Sequence, residues 1–228
     1  MKLVCFDIDG TLIRTDGAGR RAIHRALVDV LGTAGPIDEL RFDGRTDGEI
    51  VLRLAEGAGI AVDDALVTRV LDRYVEHLEV ELARPGHVTH VYPGVRELLD
   101  ALEPRRDVTI GLLTGNVKGG ADRKLRSGGL DPARFVVGAF GSDHHVRAEL
   151  PAVAQRRIKE QLGHVVEGHD VVIIGDTPAD MQCGRGIGAR GIGVGTASFT
   201  PGDLMEAGAH AAFADLSETA LVIEAIFG

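Results

Sequence analysis

The chain has 228 residues, is 44% hydrophobic and 26% charged, and carries a net charge of -9. That is the range of an ordinary soluble protein, long enough for one large domain or a core with a smaller companion. The acidic balance, without a basic tract, argues against nucleic acid as a partner, and no apolar stretch reaches the length of a membrane span. An anionic substrate stays open, because a local field can oppose the global charge.

The first expected element is a strand at Lys2–Phe6, whose apolar run ends on Asp7-Ile8-Asp9-Gly10-Thr11-Leu12. A run that short reads as a buried parallel strand. From about Thr15 to Arg84 no strand is expected. Asp16 is the expected N-cap of a helix carrying Ile23, Ala26, Leu27, Val30 and Leu31. Thr46 caps a second helix, with Glu49 placed to complete a capping box. Asp63 opens a third, with Leu66, Val70, Leu71, Tyr74, Leu78 and Leu82 on one stripe, and Pro85-Gly86 ends it. Tyr74 and Phe42 read as core of this insert. The expectation is a helical insert over 15–88 within a core formed by 1–14 and 89–228. Its connections, near Leu12–Asp16 and Pro85–Tyr92, would act as hinges.

Beyond the insert, strands are expected at Val108–Leu113, Phe135–Val137, Val171–Ile174 and Gly191–Val194. Val95-Leu98-Leu99-Leu102 and Val153-Ile158-Leu162 have helical spacing. Strands alternating with helices predict an α/β fold with a doubly wound parallel sheet. The glycine-dense stretch from Gly184 to Gly195 reads as a turn into the last of these strands rather than a dinucleotide loop. Cys5 and Cys183 are far apart and read as packed thiols, which with the absence of signal-peptide architecture fits a cytoplasmic protein.

Two acidic motifs carry the chemistry. Asp7-Ile8-Asp9 follows the first strand, and Gly175-Asp176-Thr177-Pro178-Ala179-Asp180 follows Val171–Ile174. Acids past the ends of two parallel strands stand at the carboxyl edge of the sheet, where open α/β folds bind ligands. Clustered carboxylates repel one another unless a cation lies among them, and oxygen ligands point to Mg²⁺. Asp7 fits a nucleophile attacking phosphorus, and Asp9 an acid that protonates the leaving oxygen and later takes a proton from water. Thr114-Gly115-Asn116 offers a hydroxyl and backbone N–H groups to phosphate oxygens. Asp176 and Asp180 supply metal carboxylates. In Gly44-Arg45-Thr46-Asp47, Arg45 is placed to meet a substrate carboxylate or second phosphate, with Thr46 beside it, or else the segment is only a helix-start turn. His144-His145 reads as a surface loop rather than a metal pair.

These motifs, in this order along nearly the whole chain, resemble the haloacid dehalogenase superfamily. Asp7 to Leu12 is similar to its first motif, Thr114 to its second and Gly175 to Asp180 to its fourth. The insert is similar to the cap of its phosphoglycolate-phosphatase-like branch. The resemblance implies a Rossmann-like core, a mobile cap, Mg²⁺ held by Asp7, Asp176 and the main-chain carbonyl of Asp9, and hydrolysis through a phospho-aspartate. The third motif departs from the pattern. Relatives place a lysine there, whereas the segment from Ser142 to Pro151 has Arg147 as its long cation. The role passes to Arg147, which clamps by a fork rather than as a point charge. Lys118 and Lys124 are the alternatives, and both are expected to face solvent.

The presence of Asp9 argues against a dehalogenase, which needs no such acid. The lysines are Lys2, Lys118, Lys124 and Lys159, so the insert has none to form a phosphonatase Schiff base. The expected function is hydrolysis of a small phosphorylated metabolite, phosphoglycolate being the first candidate, by a monomer or homodimer. A phosphosugar mutase using the same acids, or a catalytically silent phosphate-binding protein, are the alternatives.

Overall fold

The computed structural model describes residues 1–228. β1 (Lys2–Phe6) enters the centre of a sheet, and its Leu3, Val4, Cys5 and Phe6 are fully buried. A strand covered on both faces needs apolar side chains on both, which explains the unbroken run. The chain then turns through Asp7–Leu12 into the two-residue β2 (Ile13–Arg14).

Three helices follow: α1 (Ala18–Leu31), α2 (Asp47–Gly57) and α3 (Asp64–Leu82). Ile23, Leu27, Leu54, Val70, Tyr74 and Leu78 form an apolar cluster among them. Asp63 caps α3 by accepting from Leu66 N at 2.8 Å. Thr46 accepts from Glu49 N at 3.1 Å, but the reciprocal half of the box is missing, because Glu49 turns to Arg45 and Arg53. Asp16 is not the cap of α1. Gly17 occupies that place without a side-chain bond, while Asp16 has a positive φ of 44° and pairs with Arg14 and His90.

The chain returns through β3 (His90–Val91), antiparallel to β2. The two connections expected as separate hinges are thus one ribbon, extended by Tyr92 N donating to Leu12 O at 3.0 Å. Glu81 strengthens the same end of the helical unit. It is fully buried and meets Arg21 at 2.6 Å, and Arg21 also donates to Asp16 O.

The rest alternates: α4 (Val95–Leu102), β4 (Val108–Thr114), α5 (Lys118–Ser127), β5 (Val137–Phe140), α6 (Leu150–Leu162), β6 (Val171–Gly175), α7 (Pro178–Cys183), β7 (Arg190–Val194), α8 (Pro201–Glu206), β8 (Ala211–Phe213) and α9 (Thr219–Phe227). Six parallel strands form one sheet in the order β5-β4-β1-β6-β7-β8, an α/β fold with the sheet between helical layers. One apolar layer joins β1, β4 and β6 to α4 and α9, and the opposite layer packs α6 on the same strands. β5 begins at Val137 rather than Phe135, because Asp131 caps a short 3-10 turn and Phe135 N still closes it on Pro132 O. Cys5 and Cys183 are both buried in the α6 layer, and burial pushes both thiols up to about 12.

Gly94 shows how tightly the core closes. Its φ is 77°, and a Cβ there would lie 2.0 Å from the Leu216 carbonyl carbon. Gly94→Ala should therefore lower unfolding free energy by about 3 kcal/mol in a denaturant titration, combining positive-φ strain with a backbone clash. A change within error would contradict this packing.

Candidate active site

The strand order fixes the site. β1 lies between β4 and β6, so their carboxyl ends bring Asp7, Thr114 and Asp176 to one edge. Asp7 N donates to Ile174 O at 2.9 Å, continuing the ladder one residue past β1. Gly10 then turns the chain with φ 88°, and a Cβ there would lie 2.2 Å from Asp176 Oδ2. Only glycine lets the first motif approach the fourth this closely.

Asp7, Asp176 and Asp180 are all buried and offer oxygens within 4.8 Å of one another. Arg147, also buried, lies among them. Its Nη2 is 3.2 Å from Asp7 Oδ1 and donates to Asp180 Oδ1. Arg147 sits in a 3-10 turn leading into α6, so its backbone is fixed at the sheet edge. One guanidinium does not balance three acids. Burial pushes the Asp7 carboxyl up to about 6, with Asp180 and Asp9 adding to the rise and Arg147 opposing it. Burial, then Asp180 and Asp7, also hold Asp176 well above the carboxylate range. Asp180 has both oxygens engaged: Oδ1 by Arg147, and Oδ2 by Thr177 N and Thr177 Oγ1 at 3.0 and 2.7 Å. It closes a capping box on α7 and holds Arg147. Asp176 accepts from Thr11 through Oδ1 alone, at 3.0 Å.

Asp9 is held separately. Its Oδ2 accepts from Asn116 Nδ2 at 2.8 Å and from Lys124 Nζ at 2.6 Å. Asn116 Nδ2 also donates to Thr114 Oγ1 at 2.8 Å, and Asn116 Oδ1 accepts from Lys124 at 2.6 Å. Lys124 is therefore not a solvent-facing lysine. It is 5% exposed. Burial would lower its pKa, but Asp9, Tyr74 and Asp47 hold the ammonium in its charged form. The sequence did contain the signal: Lys124 lies between Ala121 and Leu125 on the apolar face of a short helix. Lys118, by contrast, is on the surface, paired with Asp122.

The helical unit closes the other side. Gly115 O accepts from Asp47 N, and Asp47 Oδ2 accepts from Val117 N, both at 2.8 Å. Burial lifts Asp47 to about 6, against the pull of Lys124. Thr46 does not line the cavity. It is fully buried, and its hydroxyl donates to His145 O at 2.6 Å. Arg45 does line it, but its guanidinium is paired with Glu49 and with Arg41 O. The cavity has a volume of about 730 Å³ and is lined by Asp7, Asp9, Asp176, Thr114–Asn116, Lys124 and Arg147 from the core, and by Arg20, Arg45 and Tyr74 from the helical unit. Neither Arg20 nor the Thr196–Ser198 loop, which also lines it, carries a motif that would have marked it in the sequence.

The donor set fits a hard divalent cation. Three crowded carboxylates carry one counter-charge, and Asp7 and Asp176 each keep oxygen capacity that protein donors do not fill.

A family model described as haloacid dehalogenase-like hydrolase matches residues 1–188. The phosphoglycolate phosphatase of Rhodospirillum rubrum is 30% identical over 192 residues, covering 82% of this chain and 76% of that protein. The N-acetylmuramic acid 6-phosphate phosphatase of Pseudomonas aeruginosa is 31% identical over 195 residues, covering 83% and 80%. Among solved structures, a hydrolase from Pseudomonas syringae superposes with a TM-score of 0.74 at 21% identity, covering 98% of each chain. The family match over most of the chain, with these relatives, leads to one conclusion: the chain belongs to the haloacid dehalogenase-like hydrolases.

Proposed function

We propose that this protein is a Mg²⁺-dependent phosphatase that hydrolyses a small phosphomonoester through an aspartyl phosphate on Asp7. The observation that carries this reading is the placement of Asp7 against Arg147, with Asp9 held apart by its own donors and lining the same cavity. A dehalogenase or a passive binder needs only part of that arrangement.

Asp7 Oδ attacks phosphorus as the ester P–O bond breaks, and the Asp9 carboxyl proton goes to the leaving oxygen. In the second half, water attacks the phospho-aspartate and Asp9 takes its proton, returning Asp7 and releasing phosphate. Thr114 Oγ1, the backbone at Gly115 and Asn116, and Arg147 hold the phosphoryl oxygens. Asp7, Asp176 and the Asp9 main-chain carbonyl would hold Mg²⁺, with Asp180 supporting them through Arg147. When bound, the cation supplies positive charge to offset the acids and the phosphoryl oxygens.

The helical unit, residues 15–88, acts as a cap over the core of 1–14 and 89–228, excluding bulk water. Arg45 is the cap group best placed for a second anionic group of the substrate, once it exchanges Glu49 for that partner. Phosphoglycolate carries such a group and is the first ester to try, in keeping with the relatives' names. Thr46 serves by seating the cap rather than by touching substrate.

Three outcomes test this reading. Phosphate release from a panel of phosphomonoesters should require Mg²⁺ and stop with EDTA. Asp7→Asn should lower kcat by at least about a thousandfold while Mg²⁺-free folding, followed by circular dichroism, is unchanged. No release from any ester by a folded, Mg²⁺-loaded protein would overturn the phosphatase assignment, and phosphoryl return to a sugar without release would indicate a mutase.

Arg147→Lys keeps the charge but loses the fork. It should retain measurable turnover, whereas Arg147→Ala should lose about a hundredfold or more. Equal activity in both variants would remove Arg147 from the site.

The third outcome concerns pH. Asp7, pushed up to about 6, must lose its proton before it can hold a cation. Below that value protons compete at Asp7, and Asp176 is raised as well, so Mg²⁺ affinity measured by calorimetry should fall by at least about tenfold per pH unit on acidification. Affinity independent of pH between 5 and 7 would contradict the assignment of Asp7 as a ligand.

A further inference from the structure

Lys124 has no part in the mechanism above, yet it is buried at the centre of the site. Its ammonium donates to Asp9 Oδ2 at 2.6 Å and to Asn116 Oδ1 at 2.6 Å. Asn116 Nδ2 reaches the same Asp9 Oδ2 at 2.8 Å. Both donors thus converge on one oxygen, and neither uses Oδ1. Because Asn116 is itself gripped by Lys124 and by Thr114, the three side chains fix the plane of the Asp9 carboxyl. Asp9 would otherwise be free to rotate, since its side chain is 40% exposed and begins a turn rather than a strand.

Lys124 belongs to α5 of the core but reaches across to the helical unit. A Cβ built on Gly19 of α1 would lie 3.4 Å from its Nζ and 3.8 Å from the Tyr74 hydroxyl. The ammonium therefore sits where α1, α3 and α5 meet. Tyr74 is fully buried, its ring packs among the insert's apolar residues, and its hydroxyl lies beside Gly19 in the same region as the ammonium. A lysine in this place is not a surface charge, and its partner is Asp9, whereas Arg147 meets Asp7.

We infer that Lys124 is a positioning residue that seats Asp9 through Oδ2, leaving Oδ1 to deliver the proton to the leaving oxygen, and that the docked insert completes this seat through Tyr74. The inference rests on the phosphatase reading. It concerns only the first half-reaction: Asp7 Oδ bonds to phosphorus, the ester P–O bond breaks, and the proton on Asp9 Oδ1 moves to the departing oxygen. Misaligning Asp9 should matter in proportion to how much the leaving group needs that proton.

The test compares kcat/KM, which reports the first half-reaction, on two esters. One is the alkyl phosphomonoester turned over fastest in the panel, whose alkoxide leaves poorly without a proton. The other is p-nitrophenyl phosphate, whose phenolate leaves without one. Lys124→Met, similar in length and uncharged, should lose about 100-fold or more on the alkyl ester and less than about 5-fold on the aryl ester, the pattern also expected of Asp9→Asn. Tyr74→Phe keeps the ring packing and should shift the ratio in the same direction by about 3–10-fold. Equal losses on both esters mean that Lys124 only holds the structure together, and overturn the inference, as does an unchanged ratio. Should Lys124→Met fail to fold, Tyr74→Phe decides: an unchanged ratio there also overturns it. Wild-type protein inert toward every ester would instead sink the phosphatase reading itself, so the two failures are distinct.

Discussion

The structure depends on one guanidinium placed among three buried carboxylates. Arg147 meets Asp7 and Asp180, while Asp176 stands close by without a cation of its own. Burying an acid is tolerable only when it is paired or protonated. The parallel sheet forces the problem, because β1 and β6 are neighbours and both end in acids. Arg147 relieves part of it from a third element, the turn before α6. What it leaves uncompensated is a site with surplus negative charge, and that surplus is what a divalent cation would meet. Both contacts are made by a single nitrogen, Nη2, so the bridge between the two carboxylates does not use the two-nitrogen fork of the guanidinium.

The first motif's two acids, though two residues apart, have unlike surroundings. Asp7 is buried against Arg147, and Asp9 is half-exposed against Lys124 and Asn116. Neighbouring carboxylates can have different chemical roles only when their environments differ in this way. The environments differ because separate elements supply the partners: α5 serves Asp9, while the turn before α6 serves Asp7. The helical unit touches the α5 side, through Asp47 on Val117 N and Tyr74 near Lys124. The unit also reaches the segment ahead of Arg147, through Thr46 on His145 O, so its movement on the β2–β3 ribbon would bear on the surroundings of both acids.

Much of this was legible in the sequence. Short apolar runs ending in acids located β1 and β6, and the order of motifs placed Asp7, Thr114 and Asp176 on one edge. Arg147 could be found by asking where a cation stands ahead of α6. Other features could not be read. A two-residue strand has no periodicity, so β2 and β3 were invisible, as was the three-residue β8. Asp16 has a capping side chain, but its left-handed backbone is decided by the ribbon, not by its residue type. Thr46 was expected at the substrate, yet its hydroxyl goes to a carbonyl 99 positions away. Lys124 was missed because a lysine on a helix ordinarily faces water. Only the buried neighbours Ala121 and Leu125 hinted at its orientation, and the polar groups awaiting it come from distant segments.

The central claim is that Asp7, and no other acid of the cluster, takes the phosphoryl group. Protein quenched in acid during turnover, then reduced with borohydride and digested, would locate the acyl phosphate by mass spectrometry, because reduction converts the phosphorylated aspartate to homoserine. The account predicts homoserine at position 7, present only when substrate was added. Homoserine at position 9, 176 or 180, or at none of them while phosphate is being released, would contradict it.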